Sequence, residues 1–309
     1  MHEVVASVMY YFSIHVLYAS LVGVAAALLT CIRGASATAK YWIWVLTAFN
    51  FVVPSGAIID KLFAPHLMWA RPLGGVSGLV WNMTQGRTAL LLGVIWIAGA
   101  FILLMRLMSR VRSERSESHA QTPLKEGDAS NSVADGVPVS FVEGHSSPSV
   151  RGILFPSILL PAGIDRMLNP REFHAVLIHE LAHARRRDNL IRLLYEFLLS
   201  VLWLHPLIWL AGARIALYRE LSCDESVIRR AHGQALVSAL AKLAVPQRTR
   251  FLEATASSHL SYRLARLAGP AQPAHRAASL LLTSLFTAVI AAGVFATVAH
   301  TACCFVPKH

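Results

Sequence analysis

Four long charge-free runs alternate with polar stretches along this chain: residues 4–32, 41–59, 88–105 and 277–299. Each is long enough to cross the roughly 30 Å hydrocarbon core of a bilayer as a helix. Only His2 and Glu3 precede the first run. With no basic n-region ahead of it, that run reads as a retained span and not as a signal peptide. A short loop with Arg33 and Lys40 joins the first two runs, which predicts an antiparallel helix pair. Between the second and third, residues 63–83 carry Trp69, Trp81 and several glycines. That segment is expected at the outer interface, with its rings at headgroup level.

After Met108 the pattern changes. Residues 109–138 are rich in Ser, Glu, Arg, Gly and Asp and poor in large apolar side chains, as in a flexible linker. Residues 139–142 alternate like a half-buried strand, and 153–155 and 157–160 are short apolar runs bounded by Gly152, Pro156 and Pro161. Prolines confine such strands to a sheet edge, and an open edge can pair with an extended substrate. Asn169-Pro170-Arg171-Glu172 then supplies an N-cap, a proline at the first helical position and a capping-box glutamate. Phe173, Val176, Leu177, Leu181 and Ala184 follow at helical spacing. From 190 to 218 the chain is apolar again, but Arg192, Glu196 and Arg214 interrupt it and His205-Pro206 breaks it. Two buried or membrane-inserted helical pieces are expected there, not a full crossing. The fold class read from the pattern is a mainly α membrane protein: four transmembrane helices plus an α+β domain with a small edge-stranded sheet. Its boundaries are 1–108 for three spans, 109–138 for the linker, 139–276 for the folded domain, 277–299 for the fourth span and 300–309 for a tail.

Composition supports that reading. Residues are 55% hydrophobic and only 15% charged, and mean hydropathy is +0.52. A net charge of +11 would suggest nucleic acid in a soluble chain. Here 22 of the 28 Lys and Arg residues lie between Arg106 and Arg276. Basic segments stay cytoplasmic, so the domain is expected inside, the N-terminus outside, and no direct nucleic-acid binding is needed. Lys61, Arg71 and Arg87 would then face outward; the dense cluster Arg106, Arg110, Arg112 and Arg115 outweighs them. The cysteines at 31, 223, 303 and 304 show neither a disulfide framework nor metal-ligand spacing.

The chemistry concentrates at His179-Glu180-Leu181-Ala182-His183, an H-E-x-x-H sequence. On a helix the two imidazoles share a face and can reach one zinc ion, with Glu180 placed as general base. A catalytic zinc needs a third protein ligand and an open position. Glu220 is the best placed, with Asp224 four residues on to orient a ligand histidine. Glu196, Cys223 and Glu225 remain as alternatives. The E-x-x-x-D spacing after H-E-x-x-H is the gluzincin pattern. Arg185, Arg186 and Arg187 read as complements to the helix dipole and the inner leaflet. His174 points away from His179, His205 reads as a structural hydrogen-bonder, and Cys303-Cys304 as incidental.

Four stretches together resemble the BlaR/MecR-type membrane metallopeptidases, metallopeptidase family fifty-six. They are 157–161, His179 to His183 continuing through Arg186-Arg187-Asp188-Asn189, the segment 203–209, and Arg219 to Glu225. The resemblance implies Zn2+ held by His179, His183 and Glu220, with Glu180 as general base, in a bacterial inner membrane. It also implies cleavage of a cytosolic protein such as a winged-helix transcriptional repressor, in a signalling system; a dimer is allowed. Two departures bear on this. No penicillin-binding domain follows the fourth run before His309, so a beta-lactam trigger is not expected. The tyrosine that members often carry in the helix following the zinc glutamate's is missing from 236–244, which leaves the oxyanion donor unassigned; His232, Tyr218 and Tyr262 are candidates, each read first as a surface or packing residue. Competing readings are a housekeeping membrane protease of the heat-shock or CAAX-processing type and a non-proteolytic receptor or scaffold with a structural zinc.

Overall fold

A computed structural model describes residues 2–51, 87–120, 133–143, 147–230, 232–244, 262–267 and 275–304. Helix α1 (His2–Leu29) turns over at Thr30–Ser36 into α2 (Ala37–Asn50), whose N-cap Ser36 accepts a hydrogen bond from the Ala39 amide. This is the expected antiparallel pair. Helix α2 is buried along most of its length, with Tyr41 and Ala48 fully enclosed and Trp44 nearly so. At 14 residues it covers only the first part of the expected run 41–59, and residues 52–59 lie outside the described residues, as does 63–83.

Helix α3 (Arg87–Ala120) is apolar up to Met105 and then basic. It continues past Met108 through the first part of the segment expected as a linker. Arg, Glu and Ala are good helix formers, so the polar composition there ends the span but not the helix. Residues 121–132 lie outside the described residues. Among the described residues, two helical segments are long and apolar enough to cross a membrane, Gly93–Ser113 in α3 and Arg276–Gly293 in α9 (Arg276–Cys304). Little of either is buried, with Leu91, Ile97, Phe101, Leu280 and Phe295 all more than half exposed. Soluble core helices hide such a face, whereas these present it outward. Helix α9 packs on α1 through Val22, Ala26, Leu282 and Phe286.

The sheet has the order β1-β2-β4-β3. β1 (Val133–Ala134) and β2 (Val137–Val142) are antiparallel; β2 runs parallel to β4 (Ser157–Pro161); β4 is antiparallel to β3 (Ser149–Arg151). Two expectations fail here. Residues 153–155 form no strand, because Gly152 adopts φ +88° and turns the chain out of the ladder. The strand at 157–160 is not at an edge. Pro156 precedes it and Pro161 closes it, so neither removes a hydrogen bond from its middle, and Ile158, Leu159 and Leu160 are buried. The edges belong to β1 and β3.

A short helix α4 (Ile164–Met167) leads into α5 (Pro170–Arg186), and α6 (Asp188–Val201), α7 (Pro206–Ile228) and α8 (Gly233–Ala244) follow. The break at His205-Pro206 is where the sequence placed it. Tyr195, on α6, donates to the Ile208 carbonyl beyond the break, and His205 Nε2 lies 3.0 Å from Ser20 Oγ. Sheet, α5 and α8 share one core through Ile158, Leu160, Val176, Ile178 and Leu236. A second core joins α2 to α6 and α7 through Trp44, Leu198, Ala211 and Ile215. Helix α3 approaches the 201–204 turn at Gly99, where any Cβ would enter the Trp203 ring; the Trp96 indole donates to the Val201 carbonyl and the Trp203 indole to the Trp96 carbonyl across that contact.

Candidate metal centre

The helix that carries His179 and His183 starts where its cap dictates. Asn169 Oδ1 accepts from the Glu172 amide and Glu172 returns the bond to the Asn169 amide, both at 2.9 Å. Glu172 is then gripped by Ser238 and Lys242 of α8, and these contacts with the Asn169 amide lower its pKa to about 2. Ala175, Val176, Ile178, Leu181 and Ala184 bury the opposite faces of α5. The two imidazoles therefore have one orientation available, toward α7.

Their Nε2 atoms lie 3.2 Å apart, and Glu220 of α7 presents Oε2 at 3.6 Å from His179 and Oε1 at 3.8 Å from His183. Ligand atoms around a tetrahedral zinc at its usual bond lengths are separated by about 3.3 Å. The three side chains thus fit one small cation with neutral imidazole and carboxylate preferences. Glu180 lines the same cavity, about 450 Å³ in volume, together with Ser149, Val150, Asn189 and Arg263.

Each ligand has a carboxylate or cation behind it. Asp224 Oδ1 stands 3.2 Å from His179 Nδ1, and Asp188 Oδ2 stands 2.7 Å from His183 Nδ1. Arg263 chelates Asp224 with Nε and Nη2, both at 2.9 Å, and places Nη1 3.1 Å from Glu220 Oε2. Burial works against ionisation of Glu220, yet contact with His179 and the charges of His183 and Arg219 hold its pKa well below the usual carboxylate range. Asp224 and Asp188 are likewise lowered against their burial, the first by His179 and Arg263, the second by Arg186 and His183. Asp188, hydrogen-bonded to His183 Nδ1, fixes the tautomer that a metal needs there, while Asp224 faces His179 Nδ1 at ion-pair distance.

The residues singled out in the sequence take unequal places. His179, His183, Glu220 and Asp224 come together, and Glu180 joins them at the cavity wall. The alternative ligands do not: Glu196 pairs with Arg192 and Arg110, and Glu225 pairs with Arg266 and the Ala37 amide. Cys223 sits near His183 and Asp188, but Arg186 binds both Asp188 oxygens at 2.6 Å and reaches Cys223 Sγ at 3.3 Å, so a cation already serves that cluster. Arg186 is therefore a buried ion-pair partner and not a leaflet contact; Arg185 pairs with Asp135. Tyr218, Tyr262 and His232 do not line the cavity; Tyr218 lies under Lys40 and His232 packs edge-on against His174. The cationic donors that do line it are Arg192, Arg219 and Arg263. Read from the sequence, Arg186 is a dipole and leaflet complement and Asp188 only part of a matching stretch, and Arg263 is not singled out. Asp188 had a local signal, since Arg187 takes a left-handed φ of 54° and ends α5 so that Asp188 turns back to His183. Arg263 had none.

His179, His183 and Glu220 form a group that could hold one metal ion, with Glu180 on the wall of the same cavity. Comparison with known proteins agrees: the chain belongs to the family described as BlaR1 peptidase M56, whose profile matches residues 10–267. It is 31% identical over 158 residues to the Regulatory protein BlaR1 of Bacillus licheniformis, a match covering 48% of this chain and 26% of that protein. It is 21% identical over 175 residues to the Methicillin resistance mecR1 protein of Staphylococcus aureus, covering 53% of this chain and 30% of that one. The chain thus aligns to less than a third of the length of these relatives.

Proposed function

We propose that this chain is a membrane-embedded zinc endopeptidase of regulatory role, acting on a cytosolic protein such as a winged-helix repressor. The observation that carries the reading is the convergence of His179, His183 and Glu220 on one point beside Glu180. Zinc held there would act as a Lewis acid on the scissile carbonyl and acidify an attacking water. Glu180 takes the proton from that water and delivers it to the leaving amine. Asp224 and Asp188 keep the two imidazoles turned toward the cavity, and Arg263 holds Glu220 and Asp224 in one orientation. β3, the terminal strand of the sheet, contributes Ser149 and Val150 to the cavity wall, so an extended peptide laid along it would reach the metal ligands.

The topology proposed with this is four spans, the N-terminus outside, and the peptidase domain 139–276 facing the cytoplasm. It is supported by the two exposed apolar helices and by the basic cluster that ends α3. A structural zinc on a scaffold would be closed by four protein ligands, whereas three converge among the described residues. The relatives' printed names, a regulatory protein and a resistance protein, favour a regulatory over a housekeeping peptidase.

The deciding experiment is Glu180→Gln in the full chain. Cleavage of casein or of a co-expressed repressor should fall by about 10²–10⁴-fold, while one zinc per chain is retained. Unchanged proteolysis would sink the assignment.

A further inference from the structure

The turn between β3 and β4 carries an apolar tip that the peptidase chemistry does not use. Phe155 is 90% exposed and Leu154 55% exposed, with Ile153 beside them. The turn is built, not frayed. Gly152 has φ +88°, and a Cβ there would collide with the Phe155 carbonyl oxygen, so only glycine closes it. The Asn189 side-chain amide donates to the carbonyls of Val150 (2.9 Å) and Gly152 (3.2 Å), pinning the base of the hairpin to the first turn of α6. Two consecutive apolar side chains, Leu154 and Phe155, held out on a fixed turn mark a contact surface.

The neighbourhood says which contact. A cavity of about 220 Å³ lies between the hairpin base and α3, lined by Leu107, Arg110, Arg151, Ile153 and Arg192. The hairpin therefore stands beside the end of the Gly93–Ser113 segment, where the exposed apolar face of Phe101, Ile102 and Met105 gives way to Arg106, Arg110 and Arg112. That switch from apolar to basic is the level of the lipid headgroups. An apolar tip flanked by arginines at that level suits the headgroup–acyl boundary of an anionic leaflet.

We infer that residues 153–155 are a lipid anchor, inserted in the inner leaflet beside α3, with Arg110 and Arg151 at phosphate height. The inference rests on the reading of α3 as a span. Its consequence is geometric. Asn189 directly follows Asp188, the partner of His183, so the anchor holds the metal centre at a fixed height over the bilayer and limits cleavage to peptide segments brought to the membrane surface.

The test is nitroxide accessibility in the full chain, reconstituted in vesicles of phosphatidylethanolamine and phosphatidylglycerol. Phe155→Cys is labelled in a Cys31→Ser, Cys303→Ser, Cys304→Ser background; Cys223 is fully buried and does not label. Met105→Cys reports the span and Arg171→Cys, exposed at the start of α5, reports water. Retained zinc binding shows each labelled protein is folded. The expected result is that position 155, like 105, favours oxygen over a water-soluble nickel complex several-fold more than position 171 does. If 155 behaves like 171 while 105 stays lipid-accessible, the anchor is refuted and the span stands. If 105 also behaves like 171, the span reading fails and takes the anchor with it. Accessibility at 155 that is water-like and lost only on adding casein would make the tip a substrate-docking site, and would likewise overturn the anchor.

Discussion

The Tyr41 hydroxyl donates a 3.0 Å hydrogen bond to Asp188 Oδ1, while the other oxygen of that carboxylate lies 2.7 Å from His183 Nδ1. Tyr41 is fully buried on α2, far earlier in the chain than the metal helix it serves. Arg186 closes the group, binding Asp188 through two nitrogens and lying over the Tyr41 ring at 4.2 Å. A second tie runs parallel: the Ala37 amide at the start of α2 donates to Glu225, on the helix that carries Glu220. Helix α2 is thus hydrogen-bonded to Asp188 at the start of α6 and to Glu225 of α7, the helix that carries Glu220.

Tyr41→Phe keeps the packing and the ring under Arg186 but removes the hydroxyl. One lost hydrogen bond should cost about 1 kcal/mol of stability. Because Asp188 orients His183, zinc affinity should also fall, by up to about 10-fold. Competition against a chromophoric chelator reads the affinity and thermal unfolding reads the stability; affinity equal to the parent's would show that Tyr41 serves packing alone.

Asp188 should matter more. Asp188→Asn weakens the contact to the outer nitrogen of His183, and zinc affinity should drop by about 10–100-fold. Arg186→Leu instead leaves Asp188 buried and ionised without its main partner, and should destabilise the fold by about 3–5 kcal/mol. Chemical denaturation of the two variants separates these effects: the first is chiefly a binding defect, the second chiefly a folding one.

Protons and metal compete for His179. Burial disfavours its charged form, but Asp224 and Glu220, reinforced by the charges of Asp224 and Glu180, outweigh this and raise its pKa to about 9 in the metal-free protein. A folded pKa above the ordinary 6.5 contributes stability that is complete below pH 6.5 and lost as pH rises through 9. Zinc requires the neutral ring, so its affinity should run the other way, climbing about 10-fold per pH unit up to pH 9 and then levelling. Calorimetry in buffers of different ionisation enthalpy would register the released proton. Affinity independent of pH between 7 and 9 would contradict the assignment.

Glu172 gives the opposite sign. Its pKa is lowered to about 2 by Lys242, then Ser238 and the Asn169 amide, so its contribution is present above pH 4.5 and lost as pH falls toward 2. The stability gap between the parent and Glu172→Gln should therefore shrink over that window, as followed by denaturant midpoints at pH 6, 4 and 2.5. A gap that stays constant would mean the carboxylate's charge is immaterial to the joint between α5 and α8.

Local grammar made much of this protein legible from its residues. The capping box at Asn169 and Glu172, the 3.6-residue spacing behind His179 and His183, and the break at His205-Pro206 are short-range effects, and a sequence displays them directly. The i,i+4 spacing of Glu220 and Asp224 belongs with them. What local rules missed was where segments meet. Prolines flanking 157–161 suggested an edge, but their position at the strand's ends lets β4 sit in the middle of the sheet, and the positive φ of Gly152 moved the neighbouring strand to Ser149–Arg151. Polar composition after Met108 suggested a linker, while helix propensity carried α3 on to Ala120.

The sequence by itself determined which side chains can bind a metal, because ligand type and helical spacing are properties of a few adjacent residues. Only the tertiary structure decided what stands behind them. Tyr41 and Arg263 reach the site across long stretches of chain, and Arg186, close in sequence to Asp188, is recognisable as its partner only once burial has removed the water that would otherwise serve both.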